Sequence, residues 1–239
     1  GRRFTHFVLM YGDYPDMQRE CLDAILRTTR REELELRVIA NQLCRQSAAY
    51  VRGLVESGAV AKFYDHAENR RKYPVMREAF RDPACPITTD WVLWFDDDTM
   101  CNVDPAWLQK LSALITANDR PELGMVAPKQ LWPLSPKQVE WMRRRPWYRG
   151  RQFRDKQGRG APNGRWIHFG TGSCWAMKTE CILRCDIPEV ELGHNGGDWT
   201  IGEQLYQGGY QVLNWTDKKQ VVNWSSRKRR GVTDPFPGT

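Results

Sequence analysis

The sequence predicts an α/β fold with a mainly parallel central sheet and helices on both faces. Two observations lead to this prediction: short apolar runs of strand length recur along the chain, and segments with apolar residues at helical spacing separate them. Strands that alternate with helices usually pair in parallel, and the helices then cover both faces of the sheet. With 239 residues and 41% hydrophobic content, the chain is long enough for one domain with a sizeable core.

The first half shows this alternation clearly. Pro15 is placed to open the first helix, and Gly58 is placed to end the second. Apolar residues at helical spacing predict two further helices, around 75–80 and 107–115. Apolar runs predict strands at 7–11, 36–40, 61–64, 91–95 and 124–127.

The second half begins with a segment of different composition. Residues 132–165 are rich in Trp, Arg, Pro and Gly and only weakly periodic, so we expect a long functional loop or a helix–loop insertion there. Thr179 is placed to cap a short helix, and the glycines at 196–197 open another. We therefore predict a single domain over 1–239, with strands in its last part at 166–169, 174–177 and 211–215.

The positive charge of the chain is concentrated in two segments. The formal net charge is +7, yet between Arg143 and Arg165 there are nine basic residues and one acidic residue. Residues 218–230 contain six more basic residues and no acidic one, so the rest of the chain has a net charge of −7. Charge localised in this way indicates a polyanionic partner.

Three adjacent carboxylates follow the apolar run 91–95. Asp96, Asp97 and Asp98 repel one another unless a cation or ordered donors compensate their charge. Asp96 and Asp98 are two residues apart, so on an extended chain their side chains point the same way. Carboxylates at a strand end suit Mg²⁺ or Mn²⁺. Water molecules and phosphate oxygens then complete the coordination shell of the ion. A solvated acidic turn is the alternative, and the strongly hydrophobic strand before it favours the metal site.

Other polar residues are predicted to lie at the same edge of the sheet. In parallel sheets, ligands bind beyond the carboxyl ends of the strands. The predicted strand ends place there Tyr11, Gly12, Asp65, Asn69 and the acidic run 96–98. The order of these residues therefore indicates one ligand site.

Five landmarks, in order from residue 7 to about residue 215, resemble the family-2-type nucleotide-sugar glycosyltransferases of the GT-A fold. The last of them resembles the family's acidic motif, in which a helix and a Gly-Tyr pair follow Glu-Asp. The landmarks are the loop 11–14, Asn69-Arg70-Arg71, the Asp-x-Asp motif at 96–98, the Gly-rich segment 169–172, and the segment 194–198 with Gly209-Tyr210 after it.

The resemblance implies a fold, an activity and a set of roles. A GT-A (Rossmann-like) domain would bind the nucleotide sugar with residues 1–128, carry a basic insertion at 129–165, and form the acceptor and catalytic side with 166–239. It implies a UDP-sugar donor, a Mn²⁺ or Mg²⁺ ion held by Asp96 and Asp98, and Asp198 as the base that accepts the proton of the acceptor hydroxyl. Inversion at the anomeric carbon is also implied. The implied donor contacts are Tyr11, Gly12, Asp13, Asn69, Arg70, Asp96, Asp97, Gly170 and Gly172.

The sequence departs from the family at two positions. Gly197 stands where the family commonly has Glu, and the family's late His ligand is missing, with Asn223 as a stand-in. We therefore expect modest metal affinity. A role for Asp198 as the N-cap of a helix, after two glycines, is the alternative to catalysis, and both roles are compatible.

The basic segments favour a nucleic-acid acceptor. Arginines interleaved with aromatic residues are typical of surfaces that follow phosphates and stack bases. An enzyme that modifies a base within DNA must extrude that base, and a basic insertion of this kind would serve that purpose. We therefore predict that the acceptor is a hydroxymethylated pyrimidine in DNA, as in some bacteriophages. Arginines that bind the donor diphosphate or acidic lipids are the alternative. The predicted DNA contacts are Arg143, Arg144, Arg145, Trp147, Arg149, Arg151, Arg154, Arg227, Lys228, Arg229 and Arg230.

Rival functions remain open at this stage. A glycan, lipid or protein acceptor is the first alternative, and a non-catalytic nucleic-acid-binding protein on a transferase scaffold is the second. The intact Asp96, Asp98 and Asp198 argue against the second. A hydrolase with paired carboxylates fits the predicted parallel sheet less well.

The cysteines indicate a reducing compartment. There are seven of them, without a Cys-x-x-Cys pair, and neither a charged-then-apolar leader nor an apolar stretch of membrane-spanning length is evident. We therefore expect a cytoplasmic protein, in the host cytoplasm if it is viral. Cys174, Cys181 and Cys185, with His168 and His194, are conceivable zinc ligands, although buried free thiols are favoured.

Overall fold

The computed structural model describes residues 3–101, 104–150, 153, 155–156, 159, 164–193 and 196–215, and the backbone of 222–223. The strands are β1 (Phe4–Gly12), β2 (Leu34–Leu43), β3 (Lys62–His66), β4 (Trp91–Asp96), β5 (Thr99–Met100), β6 (Leu123–Ala127), β7 (Lys129–Pro133), β8 (Trp166–Gly170), β9 (Cys174–Lys178), β10 (Gln211–Asn214) and β11 (Val222–Asn223). The helices are α1 (Pro15–Thr28), α2 (Arg45–Glu56), α3 (Lys72–Phe80), α4 (Trp107–Ala117), α5 (Pro136–Arg143), α6 (Thr179–Arg184) and α7 (Gly197–Gln207).

Seven strands form the central sheet, in the order β10-β6-β9-β4-β1-β2-β3. β1 pairs in parallel with β2 and β4, β2 with β3, and β6 with β10. β9 is antiparallel to both of its neighbours, β4 and β6. The prediction of a mainly parallel sheet is therefore confirmed, and β9 is its exception.

Side chains of each central strand alternate between two core layers, as the period of a strand requires. Trp91, Leu93 and Phe95 of β4 pack in one layer with α1 and α4, whereas Val92 and Trp94 pack in the other with α3 and α7. Helices therefore cover both faces, as predicted. Strand β4 is buried on both sides up to its last residue.

The segment that follows β6 forms a smaller unit beside the sheet. β7 and β8 pair antiparallel, and α5 begins with a capping box in which Ser135 and Gln138 bond each other's backbone N–H groups. A third apolar cluster fills the space between these elements and includes Met142, Phe153 and Phe169. In the described residues, this part is the helix–loop arrangement that the weak periodicity indicated.

The predicted cap of α6 needs correction. Thr179 does not cap this helix, because it is the first helical residue and Lys178 holds the N-cap position. The Thr179 hydroxyl instead donates to the carbonyl of Thr89. The threonine therefore ties the start of α6 to the loop before β4.

The zinc site considered from the sequence is not formed by its cysteines. Cys174 lies in one core layer, whereas Cys181 and Cys185 lie in the other. His194 lies outside the described residues. Among the residues described, no cluster of three or more potential metal ligands occurs.

All seven cysteines are free thiols. Within the described ranges, no helix combines the length and the apolar character that crossing a membrane would require.

Candidate active site

The carboxyl ends of three neighbouring strands meet at one edge of the sheet. Leu9 of β1 lies opposite Asp96 of β4, and the backbone N–H of Asp97 donates to the Leu9 carbonyl at 3.0 Å. Asn41, near the end of β2, bonds the side chain of Asn69. The structure therefore brings the acidic run and the Asn69 loop to the same edge.

Asp96 is enclosed by hydrogen-bond donors. The ammonium of Lys72 lies 2.8 Å from both of its carboxylate oxygens, and the indole N–H of Trp94 donates to one of them at 3.0 Å. The same ammonium donates to the carbonyl of Gly172 at 2.7 Å. Because the two partners are 12% and 23% exposed, this ion pair is shielded from bulk water. Lys72 thus provides the cation that compensates the charge of Asp96.

Asp97 is directed into the core rather than toward a ligand. Its side chain is fully buried, and its carboxylate accepts from the Gln18 amide at 2.9 Å and from the Tyr11 backbone N–H at 3.3 Å. Gln18 in turn accepts from the Ser47 hydroxyl at 2.6 Å. The predicted contact between Asp97 and the nucleotide is therefore corrected: Asp97 holds the end of β1 against α1.

Asp98 occupies the turn between β4 and β5. The chain leaves the extended conformation after Asp96, so the prediction that Asp96 and Asp98 align as on a strand is wrong in its premise. Asp98 is 9% exposed. Two carboxylates are too few for a closed metal cage, but they fit a divalent ion whose shell a diphosphate completes. Asp96 and Asp98 are the residues that would hold it.

Asp198 lies on the other side of the Lys72–Gly172 junction. A β-carbon added to Gly172 would stand 3.4 Å from the β-carbon of Asp198 and 3.7 Å from the Lys72 ammonium. Asp198 is in the first turn of α7, where its Oδ1 accepts from the Trp199 N–H. Partial burial raises the pKa of this carboxyl, against the opposing effect of that hydrogen bond and of Lys72.

The N-cap alternative for Asp198 is wrong in detail. Gly196 holds the N-cap position with φ of +83°, a conformation that favours glycine, and no side-chain cap bond is present. Gly197 is required by packing: a β-carbon there would lie 1.9 Å from the ring of Tyr73. The tyrosine therefore fixes the start of α7, and with it the Asp198 backbone.

The loop before α3 is built around Asn69. Its side-chain oxygen accepts from the Asn41 amide at 2.8 Å and from the Arg71 backbone N–H at 3.0 Å. Arg71 has φ of +72°, a strained conformation for a residue with a side chain. The Arg70 guanidinium pairs with Glu78 at 2.6 Å, so this side chain is already engaged within the protein.

The remaining predicted donor contacts differ in exposure. Asp13 is exposed, Tyr11 is half-buried with its ring 6.1 Å from that of Tyr14, and Gly12 is buried with φ of +73°. Gly170 serves packing, because a β-carbon there would lie 2.4 Å from that of Ala127.

Part of the charge of the basic insertion is neutralised where the insertion is described. Arg144 pairs with Glu140, and Arg145 pairs with Glu191 while lying 4.4 Å above the ring of Trp141. The Arg143 guanidinium lies over the ring of Phe153, the Trp147 indole donates to Glu189, and Arg149 is exposed. The predicted DNA contacts outside the described residues are Arg151, Arg154, Arg227, Lys228, Arg229 and Arg230, and the side chain of Asn223 lies outside them too.

Sequence reasoning missed Lys72, Gln18 and Ser47. The Asn-Arg-Arg landmark stops one residue before Lys72. A third basic residue directly after the two arginines was therefore the available signal. Gln18 is a polar residue among the apolar positions of α1, at 0% exposure. A polar residue on the buried face of a helix indicates a partner, although the sequence does not identify it.

Solved structures of glycosyltransferases share this fold. The mannosyltransferase PcManGT of Pyrobaculum calidifontis, solved with GDP-Man and Mn²⁺, is 19% identical with a TM-score of 0.61, over 91% of this chain and 56% of its own. TarS of S. aureus is 14% identical with a TM-score of 0.59, over 92% and 36%. GalNAc-T7, solved with UDP, GalNAc and Mn²⁺, is 11% identical with a TM-score of 0.60, over 88% and 41%. The chain therefore has the GT-A fold, and the fold class predicted from the sequence is confirmed.

One curated protein is similar to this chain in sequence. The O-antigen biosynthesis protein RfbC of Myxococcus xanthus is 30% identical over 127 residues, which are 53% of this chain and 9% of that protein. No protein-family model matches the sequence. The chain thus spans a small part of the curated relative and 36% to 56% of these solved proteins.

Proposed function

We propose that this protein is a glycosyltransferase that moves a sugar from a nucleoside diphosphate to an acceptor hydroxyl. The observation that supports this most strongly is the grouping of Asp96, Lys72, Gly172 and Asp198 at the carboxyl edge of a GT-A sheet. Such an edge is where α/β sheets bind their ligands.

Asp198 would accept the proton of the attacking hydroxyl. A general base works best when its pKa approaches the working pH, and burial shifts the pKa of Asp198 in that direction. Gly172 adds no side chain of its own at this point, which the Asp198 β-carbon, the Tyr73 hydroxyl and the Lys72 ammonium surround. The fixed charges around this space would orient substrate groups without reorganising during the reaction.

The departing diphosphate needs positive charge. A divalent ion, when bound by Asp96 and Asp98 together with phosphate oxygens, would act as a Lewis acid on the leaving group. Lys72 neutralises Asp96 in the described arrangement, so the metal and this ammonium would share one carboxylate. We therefore propose that the reaction depends on a divalent ion and that this ion binds more tightly when the donor is present.

The nucleotide would bind beside the ends of β1 and β2. The half-buried Tyr11 and the ordered Asn69 loop are the groups there, and the site would take a uracil or guanine base by stacking and hydrogen bonding. Two of the similar structures were solved with GDP-Man or with UDP and GalNAc, which supports a nucleotide-sugar donor. UDP is the nucleotide that the sequence resemblance favours.

The first experiment measures donor binding by calorimetry. We expect wild type to bind UDP and to bind it more tightly when Mn²⁺ is present. In Asp98→Ala, Mn²⁺ should increase UDP affinity less. Equal UDP affinity with and without Mn²⁺, for both proteins, would contradict the shared metal site. The absence of binding for UDP and GDP would contradict the proposed function.

A hydroxymethylated pyrimidine in DNA is the acceptor that the sequence favoured. The exposed Arg149 and the charge of the whole segment support it, whereas the pairing of Arg144 and Arg145 with glutamates weakens it. Incubation of the protein with UDP-sugars, Mn²⁺, and plain or hydroxymethylated duplex DNA tests this proposal. Transfer to modified DNA alone is the expected result if it is correct.

A cytoplasmic location also stays a prediction.

A further inference from the structure

Two glycines, Gly196 and Gly197, directly precede the candidate base Asp198 at the start of α7. We propose that Tyr73 is a positioning residue for this base: its hydroxyl caps the first turn of α7 from the neighbouring helix α3 and so fixes the place of Asp198. The inference rests on the proposed function, because the place of Asp198 matters for turnover only if this carboxylate accepts a proton.

The start of α7 lacks a capping side chain of its own. The first N–H groups of a helix have no partner within it, and the N-cap side chain usually accepts from the second or third of them. In α7 the N-cap is Gly196, which has no side chain. The third helical residue, Trp199, donates its N–H to the Asp198 carboxylate at 3.0 Å. The N–H of Asp198 itself, the second helical residue, therefore needs an acceptor from outside α7.

Position 196 does not admit the usual capping residues. Gly196 has φ of +83°, where serine, threonine or aspartate would be strained. A β-carbon added there would also lie 2.7 Å from the ring of Trp199. A substitution at the N-cap therefore cannot supply the missing acceptor without moving the indole.

The ring of Tyr73 lies directly against the first helical residue of α7. Tyr73 is 4% exposed, and its backbone N–H donates to the Gly193 carbonyl at 3.2 Å. A β-carbon added to Gly197 would overlap the ring carbon that carries the Tyr73 hydroxyl and the two ring carbons beside it. The phenol thus fills the space of a side chain at position 197. This packing gives a physical reason for glycine at the position where the family commonly has Glu.

The Tyr73 hydroxyl lies beside Asp198. A β-carbon added to Gly172 would stand 3.6 Å from the hydroxyl oxygen and 3.4 Å from the β-carbon of Asp198. Burial raises the pKa of the Tyr73 hydroxyl most, the charges of Asp198 and Asp96 add to this rise, and a hydrogen bond from the Asp198 backbone N–H opposes it. The phenol is therefore neutral, and its oxygen can accept as the hydroxyl of an N-cap serine does.

Two consecutive residues of α3 thus hold the two carboxylates of the candidate site. Lys72 pairs with Asp96, and Tyr73 lies against the backbone of Asp198. Glycines have the largest conformational freedom to lose, so a helix that starts with two of them needs an external contact to fix its first turn. Because Tyr73 provides that contact, the start of α3 sets the place of the base relative to Asp96. Loss of the hydroxyl should therefore impair proton transfer more than donor binding.

Hydrogen exchange of the full chain, measured by NMR, tests the cap. Tyr73→Phe keeps the ring and removes the hydroxyl, so the Asp198 amide should exchange faster by roughly fivefold or more, the usual effect of a lost helix cap. Unchanged exchange of this amide would overturn the proposal.

Tyr64→Phe is the matched control. Tyr64 is also buried, at 7% exposure, and its hydroxyl donates to Asp82 at 3.1 Å from the edge strand β3. This variant should leave exchange of the Asp198 amide unchanged, and thermal unfolding checks that both variants are folded. Equal acceleration in the two variants would show a general loosening of the protein and overturn the cap.

Turnover tests the positioning role. UDP release from UDP-glucose, UDP-galactose and UDP-N-acetylglucosamine is measured with water in place of the acceptor: the water oxygen bonds the anomeric carbon, the bond from that carbon to UDP breaks, and Asp198 takes the proton. Tyr73→Phe should lower kcat by roughly tenfold or more, while KM and UDP affinity stay within about twofold. In an Asp198→Asn background, the same change should not lower kcat further, because no base remains to be positioned. A further fall there would overturn the positioning role.

Two more outcomes separate this inference from the proposed function. Faster exchange of the Asp198 amide with an unchanged kcat would make Tyr73 a structural cap only and overturn its role in turnover. A wild type that neither binds UDP nor releases it from any donor would overturn the proposed function. The exchange rates would then still decide whether Tyr73 caps α7.

Discussion

The two sides of the candidate active site are built in different ways. On the side of the first half, polar groups are buried and joined: Asp97, Gln18 and Ser47 form a chain of hydrogen bonds between the turn after β4, α1 and α2. On the side of the insertion, an ion pair such as that of Arg144 with Glu140, four residues earlier, lies at the surface. Substitutions on the first side should therefore lower the stability of the protein, whereas substitutions of the exposed pairs on the second side should change it little.

The energetics follow from burial. A buried polar group that loses its partner costs about 1–3 kcal/mol, because water cannot replace the missing bond. An exposed ion pair contributes roughly 0–1 kcal/mol, because water and salt screen it. The following predictions test this contrast between the two sides, from the largest expected effect to the smallest.

The largest effect is expected at the junction of the two sides. Asp198→Asn should lower kcat by roughly 10²-fold or more, the usual contribution of a general base, while UDP affinity stays near that of wild type. Steady-state kinetics and UDP calorimetry measure both quantities. A variant with near-normal kcat would show that Asp198 is not the base.

The pH dependence of the same reaction follows from the pKa shift. The base must be ionised, and burial raises the pKa of Asp198 above its ordinary value. As the pH falls, activity should therefore decline at a higher pH than an ordinary aspartate would give, and the loss should be reversible. A pH–rate profile with its acid limb at the ordinary value for aspartate would contradict this burial effect.

The second prediction compares the buried network with a surface pair. Gln18→Ala removes a donor from Asp97 and an acceptor from Ser47, so the free energy of unfolding should fall by about 1–3 kcal/mol. Glu140→Ala breaks the exposed pair with Arg144 and should change it by less than about 1 kcal/mol. Urea unfolding measures both variants, and equal losses would remove the proposed contrast between the two sides.

The third prediction concerns the ammonium that shares Asp96. Lys72→Met should lower the stability of the protein, because a shielded carboxylate loses its countercharge. The same change should raise Mn²⁺ affinity in the presence of UDP by a few fold, since no cation then competes for Asp96. Calorimetry separates this from the alternative, in which Lys72 binds the diphosphate directly and the variant loses UDP affinity.

The sequence predicted those site features that depend on local pattern. The place of Asp96 at a strand end was predictable from an apolar run that ends in carboxylates, whereas Asp198 was proposed from the resemblance to the family's acidic motif. The partner of Asp96 was not predictable, because Lys72 approaches it only after α3 packs on the sheet. The burial of Asp97 was missed since the chain turns directly after Asp96.

The insertion was harder still. Its net charge suggested a polyanion surface, but pairs such as Arg145 with Glu191 join residues that are far apart in sequence. A count of basic residues along the chain does not include the glutamates that folding brings to them. The net charge of the segment therefore predicted a polyanionic partner. The described ion pairs weaken that prediction.

The smallest effect is expected from charge reversal within the insertion. Arg149→Glu, at an exposed position, should change UDP affinity by less than twofold, because the proposed donor site lies at the ends of the first-half strands. If the insertion follows a DNA backbone, the same change should reduce the slope of log affinity against log salt by about 0.9 for each phosphate that the protein no longer neutralises. If the acceptor is an uncharged sugar, DNA affinity should be weak in wild type and the slope should not respond. Titrations of UDP and duplex DNA at several salt concentrations distinguish these results, and a loss confined to UDP would place this arginine on the donor diphosphate.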